Sequence, residues 1–137
     1  MEDLTSYFKG LADPNRVRIL NLLLHGELCG CDIQYIMGTS QPNVSRHLTY
    51  LKNCGLVTDR RDGYRVFYSL GDHKQGLRAA LFEFLGKAFK NEETLRKDAR
   101  KLKQAITTGS CTVNEWRVYP AVTRARSTAT SGARARA

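Results

Sequence analysis

Two thiols, Cys29 and Cys31, stand one residue apart and are followed at once by Asp32. Sulfurs this close in sequence can hold a single soft ion, because thiolate selects soft, polarisable acceptors. The pair falls where a helix is expected to begin, and the positive end of a helix favours thiolate over thiol. The chain has four cysteines in all, the others being Cys54 and Cys111. In a chain that stays in a reducing compartment, cysteines read as thiols or ligands rather than structural disulfides. The competing reading of Cys29 and Cys31 is two small buried hydrophobes. Their place at a helix start weighs toward ligands. Cys54, at a helix end, reads equally as a small buried residue, and Cys111 as a bystander.

A second group of residues has the chemistry of base and phosphate contact. Ser40, Gln41, Asn43, Ser45, Arg46 and His47 lie within eight positions. Gln or Asn can bond adenine through two hydrogen bonds, and Ser or Arg can reach phosphate. Val44, Leu48 and Leu51 interleave with them at helical spacing, so one face anchors in a core while the polar face projects. Downstream, Arg60, Arg61 and Arg65 flank Asp62-Gly63. A cationic hairpin tip beside such a helix suits a neighbouring DNA backbone or minor groove.

The elements that must position these groups follow from the pattern. A first helix is expected over 4–12, with Leu4, Phe8 and Leu11 on one face. Asp13-Pro14 restarts the chain into a second helix carrying Val17, Leu20 and Leu24, since Asp caps well and Pro is tolerated in the first turn. A short helix is expected over 31–37, ended by Gly38, and a longer one from Ser40 to Cys54-Gly55. Residues 57–62 and 64–70 read as a hairpin turning at Asp62-Gly63. From Leu77 to Ile106 the chain is helical, interrupted near 91–94, with Leu77, Leu81, Phe84 and Ala88, then Leu95, Ala99, Leu102 and Ile106, forming a stripe that needs something to pack on. Residues 1–108 therefore read as one domain and 109–137 as a basic tail, disordered from Thr123 onward.

Composition sets limits on function. The net charge is +9 over 137 residues, and the tail carries only part of it. A basic balance favours a polyanionic partner. No apolar run reaches the ~18 residues that span a bilayer. Met1-Glu2-Asp3 places acid where an export signal would carry Lys or Arg, so the expected location is cytoplasmic. No Gly-rich phosphate loop, His-Glu-x-x-His or Gly-x-Ser-x-Gly occurs, and the expectation is a protein that is not an enzyme.

Taken together, 11–20, 27–33, 40–48, 55–57 and 60–68 resemble the ArsR/SmtB family of metal-responsive repressors, over roughly 4–90. The resemblance implies a mainly α winged helix-turn-helix, a homodimer through its first and last helices, bound to a two-fold operator in double-stranded DNA. Glu27-Leu28-Cys29-Gly30-Cys31-Asp32 is similar to the cysteine motif of the arsenic-responsive branch. The inducer so implied is trivalent arsenic or antimony, held by Cys29 and Cys31, with no other cofactor required. That branch often carries a third cysteine three residues later, where this chain has Gln34. Two sulfurs could suffice, with water or hydroxide completing the site, or a third could come from Cys54 or Cys111 of either protomer. The family's other common site uses paired Asp and His on the last helix. Asp72 and His73 stand near its start without a second His following them. Two alternatives keep the fold: a thiol redox or persulfide switch, and a winged helix that binds protein.

Overall fold

The computed structural model describes residues 2–71 and 76–108. Within these lie helices α1 (Glu2–Gly10), α2 (Pro14–Leu23), α3 (Gly30–Met37), α4 (Gln41–Asn53), α5 (Gly76–Ala88) and α6 (Glu93–Thr108). Strands β1 (Leu28–Cys29), β2 (Val57–Asp62) and β3 (Arg65–Leu70) form one antiparallel sheet in the order β1-β3-β2. A 3-10 turn over Phe89–Asn91 joins α5 to α6. Asp72, His73, Cys111 and the expected tail lie outside the described residues.

The helix boundaries follow capping chemistry. Asp13 is extended, at φ −144° and ψ 129°, and its side chain accepts from the backbone N–H of Asn15 and Arg16. The chain must leave α1 before it can adopt that conformation, so α1 ends at Gly10 rather than at residue 12. Ser40 caps α4 by accepting from the Asn43 N–H. Gly38 closes α3 at φ 66°, a left-handed conformation that costs a residue without Cβ little.

The wing has one strand more than the hairpin expected. Leu28 and Cys29 pair with Tyr68 and Phe67, adding β1 to the free edge of β3. Two residues with unremarkable sequence context give no alternation to detect. The turn also falls one residue later than expected: Asp62 pairs with Arg65, so Gly63 and Tyr64 are the loop residues, and Gly63 takes φ 68°. Alternation along the strands sorts two faces. Leu28, Val57, Leu70 and Tyr68 pack on the core side, whereas Cys29, Phe67 and Arg60 occupy the opposite face.

The core runs continuously from α2 (Ile19, Leu20, Leu22, Leu23) through α3 (Ile33, Ile36) and α4 (Val44, Leu48, Leu51) to Leu56 and Val57. Helix α6 joins this core through Leu95 and Leu102. It is held at α2 by polar anchors: Arg18 donates twice to Asp98, at 2.8 and 3.0 Å, and the buried Asn21 amide donates to the Leu95 carbonyl. Lys101 lies 5.4 Å from the ring centroid of Tyr35 on α3. The second half of the apolar stripe therefore packs within its own chain. Leu77 and Phe84 of α5 and Phe8 of α1 stay exposed. No helix among the described residues is long and apolar enough to cross a membrane.

Candidate nucleic-acid interface and thiol site

Helix α4 presents two chemically distinct faces. Val44, His47, Leu48 and Leu51 are buried. Gln41, Arg46 and Thr49 are exposed, and Asn43 and Ser45 are half-buried beside them. Asn43 is fixed from both sides: its amide donates to the Thr39 hydroxyl at 3.0 Å, and its carbonyl accepts from Arg46 at 2.5 Å. The helix thus offers a short row of prearranged polar groups, Ser40, Gln41, Asn43, Ser45 and Arg46, at its N-terminal end. Such an end is the part of a recognition helix that reaches base edges.

His47 departs from its expected place. It is only 7% exposed and faces the interior. Its position three residues after Val44 and four before Leu51 puts it on the anchoring stripe. Its charge helps to lower the pKa of Asp13, where burial opposes the lowering and the N–H donors of Asn15 and Arg16 outweigh it. His47 thus lies on the buried face of α4 rather than on its exposed polar face.

The wing tip is cationic, but its arginines are not equivalent. Arg61 is exposed, Arg65 half-buried, and Tyr64 projects from the loop at 92% exposure. Arg60 is committed inward. Its guanidinium makes two bonds of 2.8 Å to the Glu27 carboxylate and lies 4.6 Å over the Phe67 ring. Glu27, Phe67 and Tyr64 escaped the sequence reading, since only the added strand brings Glu27 beside Arg60. The unusual signal was an acidic residue directly before an apolar-thiol pair.

The thiols meet at the seam of β1 and α3. Cys29 is both the last residue of β1 and the N-cap of α3. Its Sγ accepts from the Cys31 N–H at 3.3 Å, and its own N–H donates to the buried Asp32 carboxylate at 3.2 Å. This is a capping box with sulfur in the role of the usual hydroxyl. The two Sγ atoms lie 3.0 Å apart, in contact and unbonded. Cys29 is buried and Cys31 half-buried, so solute can reach the pair from the Cys31 side. Cys54 is elsewhere: it packs beside Leu56 where α1 approaches at Gly10, and burial pushes its thiol pKa up. Among the described residues no three His, Cys, Asp or Glu side chains converge as a metal site.

Residues 13–59, the stretch that holds both the thiol pair and α4, match the profile described as bacterial regulatory protein, arsR family. The arsenic resistance transcriptional regulator ArsR1 of Pseudomonas putida is 38% identical over 98 residues, covering 71% of this chain and 75% of that protein. A probable mercury resistance operon repressor of Streptomyces lividans is 46% identical over 66 residues, covering 48% of this chain and 53% of its own length. This chain therefore spans little more than half of that relative. The homodimeric winged helix-turn-helix DNA-binding domain (fragment 1–100) from Mycobacterium bovis superposes with a TM-score of 0.56 at 31% identity, covering 63% of this chain and 77% of that one. By sequence and by fold alike, the chain belongs to the arsR family of bacterial regulatory proteins, a family of winged helix-turn-helix transcriptional regulators.

Proposed function

We propose that this protein is a transcriptional repressor that holds an operator as a homodimer and releases it when trivalent arsenic or antimony occupies Cys29 and Cys31. The observation that carries the inducer is the 3.0 Å separation of the two sulfurs at the N-cap of the helix preceding α4. A soft, sulfur-seeking centre would draw both sulfurs onto one atom. The chain's own contribution is to place that event at a structural seam. Cys29 is held by its β1 pairing to Phe67 and by the Asp32 carboxylate, and α3 packs directly against α4. Rearranging the cap shifts α3, and α4 must follow because the two share the core. In a homodimer the recognition helices then lose the separation of about one helical turn that matches two half-sites. A repressor of this kind would work in the cytoplasm, beside its DNA.

The names of the relatives differ in the metal they imply, so the soft-ligand chemistry of the pair supports the reading more than any one name. Cys111 supplies the third sulfur in one version of the site and is tested separately by Cys111→Ser. The decisive comparison is operator binding with and without arsenite, for the parent and for Cys29→Ser/Cys31→Ser. Serine is a preferred N-cap, so the double variant keeps the capping box and the fold. It is expected to bind the operator as the parent does and to ignore arsenite. Release of DNA by the double variant on arsenite addition would place the inducer site elsewhere. A linked or persulfidated Cys pair that governs binding, seen by mass spectrometry after mild oxidant, would instead favour the redox switch.

A further inference from the structure

Cys29 shares a sheet face with Phe67, Arg60 and Glu27. Register places Cys29 opposite Phe67 on β3, and Phe67 opposite Arg60 on β2. Directly opposed residues of neighbouring strands point to the same side. Strand alternation brings Glu27, two residues before Cys29, to that side too. Arg60 reaches across Phe67 to Glu27, making two 2.8 Å bonds and stacking at 4.6 Å. The row Glu27–Arg60–Phe67–Cys29 is thus closed over the outer face of the sheet, and the Glu27 carboxylate is nearly buried, at 10% exposure.

The consequence is mechanical. Arg60 stands on the wing strand, next in sequence to exposed Arg61, while Glu27 stands on the segment that carries the thiols. A forked guanidinium–carboxylate pair is directional and resists displacement in a way that a single point-charge contact does not. Movement of β1 therefore pulls on the wing as well as on α3. We propose that the Glu27–Arg60 pair couples the thiol site to the wing, so that occupancy of Cys29 and Cys31 is felt at the hairpin tip independently of the path through α3 and α4. Glu27 and Arg60 are positioning residues in this scheme, and neither needs to touch DNA or inducer. The inference rests on the inducer reading above.

The test uses the full chain and a duplex selected from random sequence by the parent protein. Glu27→Gln keeps the shape of the acid but removes its charge; Arg60→Lys keeps the charge and loses the fork. Arsenite binding is followed by the thiolate-to-arsenic absorbance, duplex binding by fluorescence anisotropy, and folding by thermal melting. Both variants are expected to bind arsenite at the parent's stoichiometry and the duplex within about threefold of the parent. The ratio of duplex affinities without and with arsenite, on the order of tenfold or more in the parent, should fall by at least about fivefold in each variant. Ratios equal to the parent's would overturn the coupling role. So would loss of duplex binding by well-folded variants, because the pair would then serve grip rather than coupling. Arg60→Lys guards against misfolding of Glu27→Gln. If the parent itself keeps its duplex in arsenite, the inducer reading fails and this inference falls with it. A responsive parent with responsive variants removes the coupling role alone.

Discussion

At the scale of single residues, side-chain caps set where the helices around the site begin: Asp13 for α2, Cys29 for α3 and Ser40 for α4. Asp13 starts α2 by accepting from the backbone N–H groups of Asn15 and Arg16. Burial pushes its pKa up, but the N–H groups of Asn15 and Arg16, with the charges of His47 and Arg16, bring it below the ordinary 3.8. A carboxyl with a depressed native pKa adds stability that is present above the unfolded-state value and disappears as pH falls through the native one. Asp13→Asn keeps a good cap without the titration. Urea unfolding should show the parent losing stability more steeply than Asp13→Asn below about pH 4, with a constant difference between them above about pH 5. Parallel curves through that range would deny the carboxylate its role. Asp13→Ala, which removes the cap outright, should cost about 1 kcal/mol at neutral pH.

At the scale of elements, what could be read from sequence was what local chemistry dictates. The Asp13-Pro14 restart, the Ser40 cap, the Gly38 stop and the alternation of β3 each arise from residues within a few positions of one another. Where the outcome depended on distant partners, sequence was silent. β1 exists because Phe67 and Tyr68 offer a free edge, and α6 settles on α2 because Arg18 meets Asp98 from 80 positions away. His47 shows a subtler failure: its side chain has the chemistry of a DNA contact, but its helical phase, shared with Val44 and Leu51, places it inside. The thiol pair was legible because its two sulfurs are adjacent but one. Its link to Arg60 was not, because Glu27 reaches Arg60 only once three strands are aligned. The anchoring of α6 is open to direct measurement. Asp98 is nearly buried, whereas Arg18 keeps about a quarter of its side chain in water. Asp98→Ala should therefore cost about 1.5–3 kcal/mol, toward the low end because Arg18 can be resolvated. Leu102→Ala, at a site 1% exposed, should cost about 2–5 kcal/mol. If α6 were a passive extension, neither change would move the unfolding midpoint.

At the scale of the whole molecule, an apolar surface on α5 and α1 stays exposed among the described residues. Phe84 is 63% exposed, Phe8 57% and Leu77 47%, on α5 and α1, and Phe84 borders an open groove of about 630 Å³ with Leu11, Val17 and Ala88. Scattered exposed hydrophobics need no explanation, but a large exposed ring such as Phe84 at the edge of an apolar groove marks a candidate interaction surface. The apolar stripe from Leu77 to Ile106 needs something to pack on. Only the α5 part remains available, since α6 has folded back on α2 and α3. In the homodimer proposed above, a second copy seated there would bring two α4 helices to one DNA duplex. Phe84→Glu introduces a charge into that surface at a position whose exposure leaves the monomer's core intact. Sedimentation equilibrium should then report a monomer with the parent's helical content. A single protomer engages one half-site, so it loses the gain from linking two binding events, which amounts to about 10²–10⁴-fold in apparent affinity. Operator binding should fall by about that factor, while the Cys29–Cys31 pair of the proposed inducer site, contributed by a single chain, stays in place. A Phe84→Glu protein that stays dimeric would move the interface to another face. One that becomes monomeric and still binds the operator at full strength would show that the grip is built within a single protomer.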